Sequence, residues 1–121
     1  MTELLETLHS SGFIASEANG ERSREVVTIL SGETIVAGHV LGKVTASGKY
    51  VEYDDGLVTG PEVAAAISVA DVDAALADTL AVVIMRDAEV VLAELTWEAT
   101  QTAGEIVNGT ADLAALGIIA R

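Results

Sequence analysis

The clearest pattern in the chain is an alternation of apolar and polar positions between residues 38 and 56. Val40 and Val44 alternate with Leu41 and Lys43, and a second alternating run covers residues 49–53. A period of two residues is typical of β-strands, and the short glycine-containing loop at residues 46–48 has the length that joins antiparallel strands. We therefore predict a β-hairpin that packs on further sheet, because an isolated hairpin is barely stable in water.

Glycines bracket the first strand of this hairpin. Gly38 precedes it and Gly42 lies inside it. A glycine inside a strand often marks a bend or a place where another backbone approaches closely. We expect a Cβ atom to be excluded at these positions.

Short apolar runs separated by turn residues continue along the rest of the chain. Residues 82–84 are consecutive and β-branched, which is the strongest strand signal in the sequence. Residues 63–70 are small and apolar throughout, which predicts a strand buried on both faces, although their alanines are also compatible with a helix. The predicted strands, besides the hairpin, are residues 25–30, 63–70, 79–85, 89–97 and 118–120.

Helical signals are weaker. Residues 110–112 are suited to cap a short helix that runs through Leu116 and stops at Gly117. Residues 71–78 predict a loop or one helical turn, and residues 98–108 are ambiguous. The pattern as a whole predicts a mainly β fold, a small open β-barrel or compact sandwich with one or two short helices and an extended N-terminal arm.

The arm is predicted to cover residues 1–24 and the β-rich domain residues 25–121. Leu4, Leu5 and Leu8 have helical spacing, but an isolated helix of two turns is marginal in water. One interpretation is a frayed terminus, and the other is a segment that becomes ordered on a partner, with Phe13 and Ile14 as its anchors.

Charge and composition exclude several classes of function. The net charge is −13, and the six basic residues are scattered, so the chain lacks the basic surface that binds nucleic acid directly. There is no cysteine, which excludes disulfides, thiolate nucleophiles and cysteine-ligated metals. No apolar run is long enough for a membrane span, and no signal peptide is evident, so a soluble protein made in a cytoplasm is expected.

Few residues suggest chemistry. His9 and His39 lie far apart in sequence without the residues that would complete a catalytic or metal site, and we expect both at the surface or rim. Glu52, Asp54 and Asp55 could offer oxygen ligands, but the spacing of a dedicated Ca²⁺ loop is missing. A solvated turn is therefore favoured there, and a binding module with an acidic Ca²⁺ or sugar site is kept as the alternative.

Four segments, taken in order, resemble the lambda-type head decoration proteins of tailed bacteriophages and prophages. No segment is diagnostic alone, but together they extend over nearly the whole chain. One departure is Trp97-Glu98, where family members carry Trp-Pro. The segments are residues 16–28, 38–54, 81–90 and 113–121.

The resemblance implies a structural protein without catalysis, cofactor or bound metal. It implies a homotrimer on the outer surface of the virion, at the three-fold and quasi-three-fold positions of the expanded capsid, where it clamps neighbouring major capsid proteins. We expect the arm to add a strand to an open sheet edge of the coat protein, and Trp97 to anchor the trimer or another interface. Arg22 and Arg24 either contact an acidic partner or are solvated charges. The predicted capsid-contact residues are Phe13, Ile14, Ala15, Ser16, Arg22 and Arg24.

Overall fold

The predicted hairpin forms part of a closed five-stranded barrel in the computed structural model, which describes residues 12–18, 20 and 22–121. Within these residues, one helix, α1 (Ala103–Ala115), and one 3₁₀ turn (Leu92–Glu94) accompany the strands. The strands are β1 (Ile14–Glu17), β2 (Arg24–Ile29), β3 (Glu33–Ile35), β4 (Val40–Lys43), β5 (Tyr50–Glu52), β6 (Ala64–Ser68), β7 (Val72–Ala74), β8 (Thr79–Ile84), β9 (Ala88–Val90) and β10 (Ile118–Ala120).

The barrel has the strand order β2-β5-β4-β6-β8, and β2 closes it. On one side, β2 pairs antiparallel with β8 along its whole length. On the other side, it meets β5 in parallel at the single pair Ile29 and Tyr50. The mainly β prediction is confirmed, and the barrel is closed rather than open.

The hairpin itself has the expected antiparallel register, with Leu41 opposite Glu52 and Lys43 opposite Tyr50. Gly42 occupies a site of close backbone approach, as predicted. A Cβ atom built there would lie 2.5 Å from the Cα atom of Pro61 and 2.6 Å from its carbonyl oxygen. The sequence needs glycine here because the segment before β6 crosses directly over β4.

A second sheet packs against one side of the barrel. It contains β1, β9 and β10 in the order β1-β9-β10, with β9 antiparallel to β1 and parallel to β10. A separate two-stranded sheet joins β3 to β7. Residues 71–78 therefore contain a strand, and the prediction of a loop or helical turn there was wrong. The three-residue length of β7 explains why its alternation was too brief to recognise.

The buried side chains form two clusters. The first fills the space between the barrel, the second sheet and α1; its members are Phe13, Val40, Tyr53, Ala64, Ile67, Ile84, Ala88, Val90, Leu95, Leu113 and Ile118. The second joins the barrel strands to the β3–β7 sheet; its members are Ile29, Ile35, Leu41, Tyr50, Ala66, Val72, Ala74, Ala81 and Val83.

Helix α1 begins earlier than the sequence analysis predicted. Thr102 is its N-cap and accepts a hydrogen bond from the Glu105 amide, while the Glu105 carboxylate accepts one from the Thr102 amide. This reciprocal capping box has a recognisable sequence, Thr-x-x-Glu, which the prediction of a start near residue 110 overlooked. The predicted stop is confirmed, since Gly117 adopts a φ of 82° directly after the helix.

The strand predicted at residues 89–97 is also too long. Only Ala88–Val90 is extended in a sheet, and a 3₁₀ turn follows at Leu92–Glu94. The strand predicted at residues 118–120 is confirmed as β10. No helix of the described chain has the length and apolar character to cross a membrane.

Candidate interaction surfaces

Phe13, the largest predicted anchor, lies inside the protein. Its side chain is 3% exposed and belongs to the first core cluster, and Ile14 packs against the same cluster. The Phe13 carbonyl oxygen accepts a hydrogen bond of 2.7 Å from the amide of Val91. These contacts join the segment before β1 to the domain, so Phe13 is not available at the surface of this conformation.

Strand β1 forms an edge of the second sheet. Among the described strands it pairs only with β9, and Ala15 and Ser16 are exposed on it. The register shifts between Ile14 and Ser16, which is an irregularity of the kind found at sheet edges. An edge strand presents unpaired backbone groups, so β1 is a possible site of strand addition. The capsid contact of these residues stays a prediction.

The two predicted arginines form different contacts. Arg24 donates hydrogen bonds to both carboxylate oxygens of Glu17, the shorter at 2.7 Å, and Ser23 donates to the same carboxylate. The hydrogen bonds from Arg24 and then Ser23 lower the pKa of Glu17. Arg22 is exposed, and its carbonyl oxygen accepts a hydrogen bond from Arg86. The first pair ties β1 to β2, a function within the fold.

Trp97 packs within its own subunit. Its ring meets that of Tyr53 edge to face, with centroids 5.9 Å apart, and lies against α1 at Gly109. The Tyr53 hydroxyl donates a hydrogen bond to the carbonyl oxygen of Glu105, at 3.1 Å. Trp97 thus helps to hold α1 on the barrel, and its predicted role at a trimer interface stays a prediction.

A stripe of apolar side chains is exposed on the outer face of the β2–β8 pair. Val26 lies opposite Val82, and Thr28 lies opposite Leu80. Residues directly opposite each other in an antiparallel pair share one face of the sheet. Val26 is 63% exposed, Leu80 is 70% exposed and Val82 is also exposed. We call Val26, Leu80 and Val82 the β2–β8 stripe.

The β2–β8 stripe was missed in the sequence, although β8 carries a signal for it. A strand with one face in a barrel core and the other in water normally alternates between apolar and polar residues. Residues 80–84 are apolar on both faces. Ile84 is buried in the first core cluster, whereas Leu80 and Val82 are exposed to solvent.

An acidic pocket lies beside β5 and the turn between β2 and β3. It has a volume of about 330 Å³, and its walls combine apolar and acidic side chains. Burial, followed by the negative charges of Glu33, Glu98 and Asp54, raises the pKa of Glu52. The lining residues are Leu30, Ser31, Gly32, Glu33, Val51, Glu52, Asp54, Leu57 and Glu98.

The three acidic residues singled out in the sequence are not brought together as one ligand set. Glu52 and Asp54 line the pocket, whereas Asp55 accepts a hydrogen bond from the side chain of Asn108 on α1, at 3.1 Å. Within residues 12–18, 20 and 22–121, no three His, Asp or Glu side chains are placed to hold a metal ion.

His39 is buried, so the prediction that it lies at the surface was wrong. It is 5% exposed and lies just before β4, where its carbonyl oxygen accepts a hydrogen bond from Ser68. Neither ring nitrogen has a hydrogen-bond partner among the described residues. Burial lowers the pKa of His39 and favours the neutral imidazole. His9 lies outside the described residues.

Comparison with known proteins gives one family. The family model described as "Bacteriophage lambda head decoration protein D" matches residues 4–118 of the 121-residue chain. The match includes strands β1 to β9, helix α1 and the first residue of β10. A search of curated proteins finds no match.

Proposed function

The chain belongs to the family of the bacteriophage lambda head decoration protein D, and on that premise we propose that it binds the expanded capsid as a homotrimer and clamps neighbouring major capsid proteins. Its role as a capsid decoration protein, and its place on the virion, follow from the family. The proposal concerns the trimer, its three-fold and quasi-three-fold positions on the outer capsid surface, and the contacts that hold it there. Synthesis in the cytoplasm of a bacterial host is part of the same proposal.

Strand addition at β1 is the proposed contact with the coat protein. The edge of β1 supports this, because β1 pairs only with β9 among the described strands and lies close to the N-terminus in the sequence. The rest of β1 is held firmly: Phe13 is in the core and the Glu17 carboxylate is bonded to Arg24. We therefore place the capsid arm in the residues that precede Phe13 together with the outer edge of β1.

The β2–β8 stripe is the proposed contact between subunits. An acidic chain repels its own copies unless an apolar surface outweighs the repulsion. Two ion pairs lie at the Arg24–Glu25 end of β2. Arg24 pairs with Glu17, and Arg86 pairs with Glu25. Each copy can therefore offer paired charges beside an apolar surface, which suits a second copy of this chain better than a strongly charged partner. Trimerisation would then make three individually weak capsid contacts act together.

The central experiment mixes purified protein with expanded capsids that carry no decoration protein and images the particles. Three-fold density at the expected positions would support the proposal, and its absence at saturating protein would refute it. The arm is tested by removing residues 1–12, which leaves Phe13 and β1 in the chain. This variant should fold but bind capsids more weakly, and unchanged binding would refute the role of the arm.

The subunit contact is tested with Val26→Lys against the matched control Val58→Lys. Both valines are exposed, Val58 to 90%, but Val58 lies in the loop between β5 and β6. Val26→Lys should reduce trimers in sedimentation or remove three-fold density on capsids, while Val58→Lys should do neither. Equal behaviour of the two variants would exclude the β2–β8 stripe as the subunit contact.

A further inference from the structure

His39 lies where several elements of the fold meet. Its ring faces Glu52 on β5, with the Nε2 atom 3.9 Å from a carboxylate oxygen. Its carbonyl oxygen accepts a hydrogen bond of 3.0 Å from the amide of Ser68 on β6, and its amide donates one to the carbonyl oxygen of Val36, just after β3. His39 also forms an isolated parallel bridge with Thr96. A movement of the His39 ring would therefore disturb contacts with several other parts of the chain.

The bridge joins residues 96–98, which we call the junction segment, to the barrel. The Thr96 amide donates a hydrogen bond of 2.9 Å to the Gly38 carbonyl oxygen, and the Val40 amide donates one of 3.0 Å to the Thr96 carbonyl oxygen. These two bonds lie on either side of His39 in the chain. An isolated bridge has fewer hydrogen bonds than a strand ladder, so we expect this junction to open locally at a lower cost than the barrel unfolds.

The buried ring of His39 has no means of satisfying a positive charge. Neither ring nitrogen has a hydrogen-bond partner among the described residues, and both are shielded from solvent. An imidazolium carries two N–H donors and a net charge, and both are costly in a buried site without acceptors. The Glu52 carboxylate, at 3.9 Å, lies beyond hydrogen-bond distance. A protonated His39 could not be accommodated unless the ring or its surroundings moved.

The charges that act on the ring come from two elements. Glu52 faces it from β5, and Glu98 acts on it from the junction segment. The contacts with β6 and with the residues after β3 are made through Ser68 and Val36, whose side chains do not ionise. The negative charge of Glu98 raises the pKa of His39, but burial has the larger effect and holds this pKa below its ordinary value of 6.5.

The sign of the resulting pH dependence follows from this lowered pKa. Between pH 6.5 and the lowered pKa of the folded state, the unfolded chain binds a proton that folded His39 does not. Stability from the neutral ring is therefore complete above pH 6.5 and is lost as the pH falls through this interval. Glu52 acts in the opposite sense, because burial and the charges of Glu33, Glu98 and Asp54 raise its pKa from 4.5. The effect of His39 is thus isolated by comparing chains that all retain Glu52.

We propose that His39 is a proton-sensitive lock on the junction segment, closed while the imidazole is neutral and loosened when mild acid protonates it. The imidazolium would have to move towards Glu52 or towards solvent to satisfy its two donors. Because Gly38 and Val40 flank His39, this movement would break the hydrogen bonds that hold Thr96. The inference rests on contacts within one subunit and does not depend on the proposed function.

The lock is tested first by NMR titration of the parent chain from about pH 8 to about pH 5. The His39 ring should titrate with a midpoint below 6.5, and the Thr96 and Val40 amide signals should change with the same midpoint. The amides of the β2–β8 pair should keep their folded positions. A midpoint at or above 6.5, unchanged Thr96 and Val40 signals, or simultaneous loss of the β2–β8 signals would each overturn the proposal.

The second test compares urea unfolding of the parent, His39→Phe and His9→Phe at pH 7 and at about pH 5.5. His39→Phe removes the titrating group without removing a hydrogen bond of the ring, and His39→Gln replaces it if the phenylalanine variant does not fold. The folding equilibrium constant of the parent should fall relative to this variant by up to about tenfold per pH unit, since one proton is bound on unfolding. His9→Phe, the same substitution at the other histidine, should follow the parent. An equal loss in the parent and the His39 variant would overturn the proposal.

Discussion

Two glycines in helix α1 should respond in opposite directions to the same substitution. Helix propensity alone predicts that replacing either Gly104 or Gly109 with alanine stabilises the protein, by up to about 1 kcal/mol. The two sites differ in their surroundings. A Cβ at Gly104 would meet nothing closer than the Thr102 hydroxyl, at 4.0 Å, whereas a Cβ at Gly109 would lie 2.7 Å from Trp97 Cζ3 and 2.8 Å from Tyr53 Cε2.

The clash at Gly109 should outweigh the gain in propensity. Carbon atoms pack best at about 3.5–4.0 Å, so both rings would have to move. Tyr53 is fully buried and its hydroxyl is bonded to the Glu105 carbonyl oxygen, so it cannot move without disturbing α1. Overpacking of this kind costs about 1–3 kcal/mol. We expect Gly109→Ala to lose about 1–2 kcal/mol of unfolding free energy and Gly104→Ala to gain about 0.5–1 kcal/mol.

The free energy of unfolding of both variants can be measured by urea denaturation with tryptophan fluorescence as the signal. Trp97 is the only tryptophan in the sequence and lies at the altered contact. The experiment should be repeated at two protein concentrations so that any effect of self-association is separated from folding. If Gly109→Ala were as stable as the parent, with an unchanged dependence on urea, the packing of α1 against Tyr53 and Trp97 described above would be wrong.

The remaining predictions concern the barrel and the β1–β2 junction. Gly42→Ala should lower the free energy of unfolding by about 3 kcal/mol or more, because the new Cβ atom would clash with the backbone of Pro61 and not with a movable side chain. Urea or thermal unfolding measures this loss, and a loss under about 1 kcal/mol would contradict the close approach of Pro61 to β4. Hydrogen bonds from Arg24 and Ser23 lower the pKa of Glu17 from its usual value of 4.5. The ionised Glu17 carboxylate therefore contributes fully to stability above pH 4.5, and this contribution is lost as the pH falls through the lowered pKa of the folded state. The parent should therefore exceed Glu17→Gln in stability at pH 7, and the difference should shrink below about pH 4.5; a difference that stays constant with pH would exclude this role of the carboxylate.

The mainly β fold was predictable because its longer strands carry their own pattern. The hairpin, β6, β8 and β10 appear in the sequence as alternating or continuously apolar runs bounded by turns, and all four occur near their expected positions. The closure of the barrel was not predictable, because it depends on one parallel pair between Ile29 and Tyr50. No local pattern encodes a contact between residues so far apart in the sequence.

The interaction surfaces were harder to predict, for two physical reasons. Phe13 appeared to be a free anchor because the next large apolar side chain after Ile14 is Val26, yet the segment 13–17 returns to the domain through pairing with β9. His39 appeared to be a surface or rim residue because the residues that would complete a catalytic or metal site do not accompany it in the sequence, yet it is buried just before β4. Sequence shows which residues are apolar or titratable, and the tertiary fold decides which of them a partner can reach.

The β1 edge and the β2–β8 stripe have complementary chemistry, and this bears on how such a chain can hold a capsid. The edge of β1 offers main-chain hydrogen bonds, and the β2–β8 stripe offers apolar area. Each is small, and neither alone resembles the interface of a permanent complex. If the stripe joins subunits and β1 contacts the coat protein, each trimer would carry three capsid contacts at high effective concentration. Loss of one kind of contact should then weaken capsid binding far more in the trimer than in the isolated subunit, because every weakened contact counts three times.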